Sequence, residues 1–370
     1  MTDARPTHQP HREHTRPPVA AHARILAHLH QNLLPYGWSL SGFNADSTAS
    51  PPAPLSSERT AADWATHLSS HDQSILAHWQ EDFEQHLTGS AQAPLLPNEL
   101  LRLAHEEPGS FWGQLMESCR LAALALFFED DEASLIASAW MRSCARTGRL
   151  NALAWPQLWE DFSTAPRPSP THPLPALGLY PVLPDSEWVK RMVDVGVPTL
   201  QLRFKSQDRS AILREVRAAV RAAESSQTRL FINDHWEVAM AEGAYGLHLG
   251  QEDFELAPME KIRQSQCVLG LSTHGYLEMI RAAGHAPGYL ALGAVFPTTL
   301  KQMKTKPQGL GRLRAYASLM ENFSLVGIGG IDETQFKAVL ACGVGSIAVV
   351  RAVMAQSDPD VQARRLMSYF

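Results

Sequence analysis

Residues 177–370 carry eight short runs rich in Val, Ile, Leu and Gly, separated by segments of helical periodicity. The runs are LGLYPVL (177–183), PTLQLRF (198–204), RLFIND (229–234), YGLHLG (245–250), VLGLST (268–273), YLALGAV (289–295), FSLVGIGG (323–330) and GSIAVV (345–350). Between them lie helical candidates such as SEWVKRMVDVG (186–196), DRSAILREVRAAVRAAE (208–224) and DETQFKAVLACG (332–343). Eight strand units, each followed by a helix, in under 200 residues match the arithmetic of a compact (β/α)8 TIM barrel. A doubly wound open sheet competes for the same alternation. The even count of eight, with no long interruption, favours closure.

The chain before that region is of another kind. TAPRPSPTHPLP, residues 164–175, holds five prolines in twelve residues and reads as an extended linker. Residues 1–176 contain eleven Arg, no Lys and nineteen acidic residues, a balance of −8. Residues 177–370 carry 21 basic and 19 acidic residues, a balance of +2. Twelve of the sixteen His and seven of the nine Trp also precede residue 177. The expected organisation is a disordered polar tail over 1–16, an all-α domain over 17–163, a Pro-rich linker over 164–176 and the barrel over 177–370.

A net charge of −6 over 370 residues leaves no cationic excess for nucleic acid. The longest apolar run, Leu121 to Phe128, is far too short to span a bilayer. The opening MTDARPTHQPHREH has no hydrophobic segment behind its charges, so no secretory signal is expected. Cys119, Cys144, Cys267 and Cys342 are scattered without CxxC spacing, which predicts free thiols in a reduced cytoplasm.

Helical periodicity in the first half covers 20–34, 58–88, 97–107, 110–128 and 131–148, with 47–57 and 89–97 as loops. In 58–88, Leu68, Ile75, Trp79, Phe83 and Leu87 fall on one stripe. His67, His71 and His78 border that stripe. Metal binding would use them, but a solvated flank of an amphipathic helix is favoured, since no Cys or acidic partner stands at ligand spacing. The tryptophans read most simply as core, with a partner surface as the alternative.

Barrel chemistry is done at the C-terminal ends of the strands. After the second run, Gln201, Arg203 and Lys205 alternate with period two, which puts an amide and two cations on one face of a strand. Buried like charges need either internal carboxylates or an anionic ligand between them. The third run ends in Asn233-Asp234, the fourth passes His248 to Asp253, and the fifth ends Ser272-Thr273-His274. Asp234 and Asp253 read either as helix N-caps or as paired carboxylates at one mouth. Opposite Arg203 and Lys205, such a pair suits Mg²⁺, which takes one or two carboxylates plus substrate phosphate oxygens. Of the loop lysines 301, 304 and 306, Lys301 is the better phosphate ligand. GIGG (327–330) and the amides near Val350 and Arg351 match a frequent barrel phosphate site, although Gly330 is equally explained by a tight strand end.

The motifs QLRFK (201–205), INDHWEVAMAEGAYGLHLGQED (232–253), GLSTH (270–274), FPTTLKQM with PQGL (296–310), GIGGI (327–331) and GVGSIAVV (343–350) resemble, in order and spacing, the thiamine phosphate synthase family. The resemblance covers the whole barrel and none of the helical half. It implies a transferase of thiamine biosynthesis joining 4-amino-2-methyl-5-(diphosphooxymethyl)pyrimidine to thiazole phosphate, or its carboxylate form, with release of pyrophosphate. It implies that Gln201, Leu202, Arg203, Phe204 and Lys205, with Asn233, Ser272 (or neighbouring Thr273) and Lys301, grip the pyrimidine diphosphate. Gln201, Arg203, Lys205 and Lys301 would carry the catalytic load. Asp234 and Asp253 would hold Mg²⁺, and Thr298, Thr299, Leu300, Gly330, Val350 and Arg351 would receive the thiazole phosphate. Leu300, His235 and Arg351 depart from the residues the family usually shows there, which bears on substrate affinity. A catalytically silent regulatory or binding barrel and a thiazole tautomerase-like enzyme are the alternatives. Joint retention of Gln201, Arg203, Lys205, Asp234 and Asp253 weighs against both. The expected partners are the two small-molecule substrates, with no nucleic acid or membrane. Self-association and any partner of the helical half are left open.

Overall fold

The structure is a computed structural model that describes residues 23, 24, 26, 69–88, 97–125, 128–147, 156, 158–298 and 307–370. The expected tail (1–16), the loop at 47–57, and His67 lie outside the described residues, as do Thr299, Leu300 and Lys301.

The second half closes into a parallel eight-stranded barrel in strict chain order. Its strands are β1 (Gly178–Leu183), β2 (Thr199–Leu202), β3 (Arg229–Asn233), β4 (Gly246–Leu249), β5 (Val268–Thr273), β6 (Tyr289–Gly293), β7 (Ser324–Ile328) and β8 (Ser346–Val349). Closure is made by β1 on β8, with Leu179 beside Ile347 and Pro181 beside Val349. The apolar runs are continuous because one face of each strand packs inside the barrel and the other packs under helices.

The interior explains two of the glycines. The Tyr180, Phe231 and Tyr289 rings meet inside the barrel, with Phe231 edge-on to Tyr289 at 5.1 Å between centroids. A Cβ on Gly270 would lie 2.1 Å from the Tyr289 ring, and one on Gly246 would lie 2.5 Å from the Phe231 ring. Small residues on β4 and β5 thus make room for large ones on β3 and β6.

In the helical half, α1 (Ser70–Thr88), α2 (Pro97–Glu106), α3 (Phe111–Ala125), α4 (Asp130–Thr147) and the short α5 (Trp159–Phe162) pack together. Ile75, Trp79 and Phe83 of the anticipated stripe are buried, and so are Trp112, Trp140 and Trp159. These four tryptophans are core. His71 and His78 are exposed, and His78 is occupied at Nδ1 by the Ser74 carbonyl at 2.7 Å. No group of three or more metal-ligating side chains occurs among the described residues.

The barrel helices follow their strands: α6 (Ser186–Val195), α7 (Arg209–Glu224), α8 (Trp236–Ala241), α9 (Gln251–Leu256), α10 (Met259–Gln264), α11 (Tyr276–Ala283), α12 (Gly309–Leu319), α13 (Phe336–Leu340), α14 (Arg351–Met354) and α15 (Pro359–Met367). Asp185 and Asp208 cap α6 and α7 by accepting from the amides of Trp188 and Ser210. The helix expected over 332–343 opens instead as a 3₁₀ turn, Glu333–Gln335, where the Asp332 carboxylate takes the Thr334 amide.

The proline-rich segment lies along the barrel. Asn322 donates to the Pro168 carbonyl, Ser324 donates to the Leu174 carbonyl, and the Thr171 amide donates to the Ala286 carbonyl at 2.9 Å. The halves also touch directly. Phe162 stacks on Tyr276 at 4.9 Å, and the Arg312 guanidinium sits 3.8 Å over the Phe128 ring. One apolar cluster runs continuously from Trp79 and Trp140 through Phe162 to Tyr276 and Leu313.

Candidate active site

The polar strand ends converge at one mouth because parallel strands in register deliver their C-terminal residues together. Gln201 lies beside Phe231, Asn233 beside His248, and Ser272 beside Ala291.

The period-two face of Gln201, Arg203 and Lys205 is only partly a strand face. β2 stops at Leu202, so Arg203 and Lys205 stand on the loop beyond it. Gln201 is buried and donates its amide to the Tyr180 hydroxyl at 3.1 Å, Arg203 is half-buried, and Lys205 is exposed. Arg203's field acts on Asp234, but among the described residues neither cation sits in a direct ion pair. The carboxylate whose field Arg203 meets is Asp234 of the same mouth. Leu202 is buried, and the Phe204 carbonyl accepts from the His235 ring at 2.9 Å. His235 thus fastens the cationic loop to the end of β3.

Neither acid is used as a helix cap. The cap position of α8 belongs to His235, and Asp253 lies in the first turn of α9 behind Gly250. Asp234 adopts a left-handed backbone (φ 64), which a non-glycine residue takes at some cost. Burial pushes its carboxyl up to about 6. Repulsion from Asp253 adds to the rise, while Arg203 and a hydrogen bond from Asn233 oppose it. Two carboxylates brought together in a half-buried mouth form an oxygen donor set that a hard divalent ion fits.

Below this mouth runs a chain that the sequence reading missed. Tyr180 and Tyr289 share a hydrogen bond of 2.8 Å, Tyr289 meets His248 Nδ1 at 2.7 Å, and His248 Nε2 meets the Ser272 hydroxyl at 2.8 Å. Burial holds both phenols well above their ordinary pKa, so they stay protonated. With Tyr289 donating to Nδ1 and Nε2–H donating to Ser272, every link carries one proton, and the Ser272 proton is left to donate elsewhere. A partial signal was present, since Tyr180, His248 and Tyr289 are members able to hydrogen-bond through their side chains inside otherwise largely aliphatic runs. Gln308 was missed too. Buried beyond β6, its amide donates to the carbonyls of His274 and Gly293 at 3.0 and 2.8 Å, tying two loops together.

On the far side, Gly329 (φ 100) and Gly330 (φ 67) end β7 in the left-handed region. A Cβ on Gly330 would lie 2.5 Å from the Pro297 carbonyl oxygen, so close approach to the β6 loop already demands glycine there. Thr298 is half-buried on that loop, Val350 precedes α14, and Arg351 is exposed.

The family model for thiamine monophosphate synthase matches residues 180–353, from within β1 to within α14. The thiamine-phosphate synthase of Neisseria meningitidis serogroup A is 48% identical over 184 residues, covering 50% of this chain and 90% of the relative. The chain belongs to the thiamine-phosphate synthase family. The Proteus mirabilis thiamine-phosphate synthase is 44% identical over 182 residues, covering 49% of this chain and 85% of that one. A solved thiamine phosphate pyrophosphorylase from Pyrococcus furiosus is 27% identical and covers 52% of this chain and 96% of its own, with a TM-score of 0.47. The family match lies within the barrel, so the helical half stands outside it.

Proposed function

We propose that the barrel joins 4-amino-2-methyl-5-(diphosphooxymethyl)pyrimidine to thiazole phosphate, giving thiamine phosphate and pyrophosphate. Family membership supports the transferase reading. The observation that carries the site is the Asp234–Asp253 pair, crowded together within the field of Arg203, an arrangement that a metal-bound diphosphate would complete.

The pyrimidine lies over Gln201 and Ser272, whose amide and hydroxyl are both held by the buried hydrogen-bonded chain. Leu202 and Phe204 frame it, and Asn233, Arg203 and Lys205 meet the diphosphate, with Lys301 as a further cation. Asp234 and Asp253 would hold Mg²⁺, which would neutralise charge developing on the departing pyrophosphate. The pyrimidine amino group donates electrons as the methylene carbon–oxygen bond breaks, and the thiazole nitrogen supplies the electron pair for the new carbon–nitrogen bond. The thiazole phosphate rests on the amides of Gly330 and Val350, with Arg351, Thr298, Thr299 and Leu300 around it, which holds the nitrogen near the carbon it attacks.

The test is to incubate the purified chain with Mg²⁺ and both substrates, or with either alone. Equal amounts of thiamine phosphate and pyrophosphate are expected only with both. Pyrophosphate released without any carbon–nitrogen product would contradict the proposal.

A further inference from the structure

The amide of Tyr276 opens α11, yet its own cap residue, Gly275, has no side chain to satisfy it. The acceptor comes from 144 residues earlier. Glu132, in the first turn of α4, takes the Tyr276 N–H on Oε1 at 2.6 Å. The approach is so close that a Cβ on Gly275 would fall 2.3 Å from that oxygen, so Gly275 is fitted to the carboxylate.

What Glu132 holds leads straight to the mouth. α11 follows β5, whose Ser272 ends the buried hydrogen-bonded chain. Between them, the His274 amide and ring both bond to Glu278 Oε2 at 2.8 Å, and Gln308 holds the His274 carbonyl. Tyr276 itself is clamped by Phe162 from the helical half and by Tyr316 at 4.7 Å from the barrel. The segment from Ser272 to Tyr276 is thus fixed at one end by His248 and at the other by Glu132.

We propose that Glu132 is a positioning residue for the transferase reaction, supplied by the helical half to set the β5–α11 loop and so aim the Ser272 hydroxyl at the pyrimidine. This rests on the function proposed above. It makes the helical half part of the working enzyme. The groups facing Glu132 are Arg312, which favours its charge, and Glu278 and Glu129, which oppose it. Burial pushes its carboxyl up to about 7, against the Tyr276 amide and Arg312 and with a smaller rise from the two glutamates.

The experiment compares full-length Glu132→Ala and Glu132→Gln with the wild type, measuring kcat, KM for each substrate, and hydrogen exchange of the 270–280 segment. Glu132→Ala leaves the Tyr276 amide unsatisfied, so KM for the pyrimidine diphosphate is expected to rise about tenfold or more, with KM for thiazole phosphate unchanged and exchange at Tyr276 accelerated. Glu132→Gln retains an acceptor oxygen and is expected to restore both KM and protection. Should Glu132→Ala fail to fold, Glu132→Asp, which withdraws the carboxylate by one methylene, is read in its place with the same expectation. A wild type that turns over while the Ala or Asp variant keeps its KM values, or raises both equally, overturns this assignment alone. A wild type that makes no thiamine phosphate overturns it together with the transferase reading.

Discussion

Single side chains set the chemistry of the mouth, and Asp234 is the most exposed to test. Its carboxyl is raised to about 6 from an ordinary value near 3.8, so the folded state holds its proton more tightly than the unfolded chain does. Its contribution to stability is therefore present below pH ~3.8 and is lost as pH rises through about 6. Metal-free Asp234→Asn should show a flatter melting temperature across that window than the wild type, and an unchanged slope would contradict the crowding. In the reaction, Asp234→Ala or Asp253→Ala should cost at least ~10²-fold in rate, because charge stabilisation of a leaving diphosphate is worth several kcal/mol. The buried chain gives another prediction at this scale. Tyr289→Phe removes the hydroxyl between Tyr180 and His248, leaving buried partners unsatisfied, and should lower unfolding free energy by about 1–3 kcal/mol in denaturant titration. A loss near zero would mean that the two partners find each other or water.

Elements decide which residues share the mouth, and here the sequence was informative in an uneven way. The eight apolar runs located every strand, because parallel strands buried on both faces leave an uninterrupted apolar signature. Their ends were harder to read. PTLQLRF looks like one strand through Phe204, but the ladder stops at Leu202, where Arg203 turns into the loop and its amide bonds to the Leu183 carbonyl at 2.7 Å. That difference changes a prediction. Arg203 is half-buried on a loop and faces Asp234, so Arg203→Met should alter stability by less than about 1 kcal/mol while weakening pyrimidine diphosphate binding at least about tenfold. Calorimetric affinity and melting temperature separate the two effects. A large drop in melting temperature with affinity intact would make the cation structural. Tyr180, Tyr289 and His248 escaped sequence reasoning because their pairing depends on which strands become neighbours across the barrel interior, and no local spacing encodes that.

At the scale of the whole molecule, the proline-rich stretch suggests two independent modules, while the contacts point to cooperation. A fragment starting at residue 177 would lose the Glu132 acceptor, the Phe162 ring on Tyr276 and the strap formed by Pro168, Thr171 and Leu174. Uncovering one buried aromatic alone costs about 2–3 kcal/mol. We therefore expect residues 177–370 to melt well below the full chain, and residues 164–370 to recover part of the difference. Equal melting temperatures for all three would show the interface to be energetically silent. These contacts were invisible in the sequence because Glu132 and Tyr276 are 144 positions apart and each reads locally as an ordinary helix-start residue.

The central claim is that the strand ends form one metal-assisted transferase site, and the most direct measurement is thiamine phosphate formation by the full-length chain as Mg²⁺ is removed and returned. With both substrates present, product should appear with Mg²⁺, stop when EDTA is added and resume when Mg²⁺ is restored, while Asp234→Ala stays at least ~10²-fold slower at every metal concentration. Undiminished product formation in EDTA, or an Asp234→Ala variant as fast as the wild type, would contradict it.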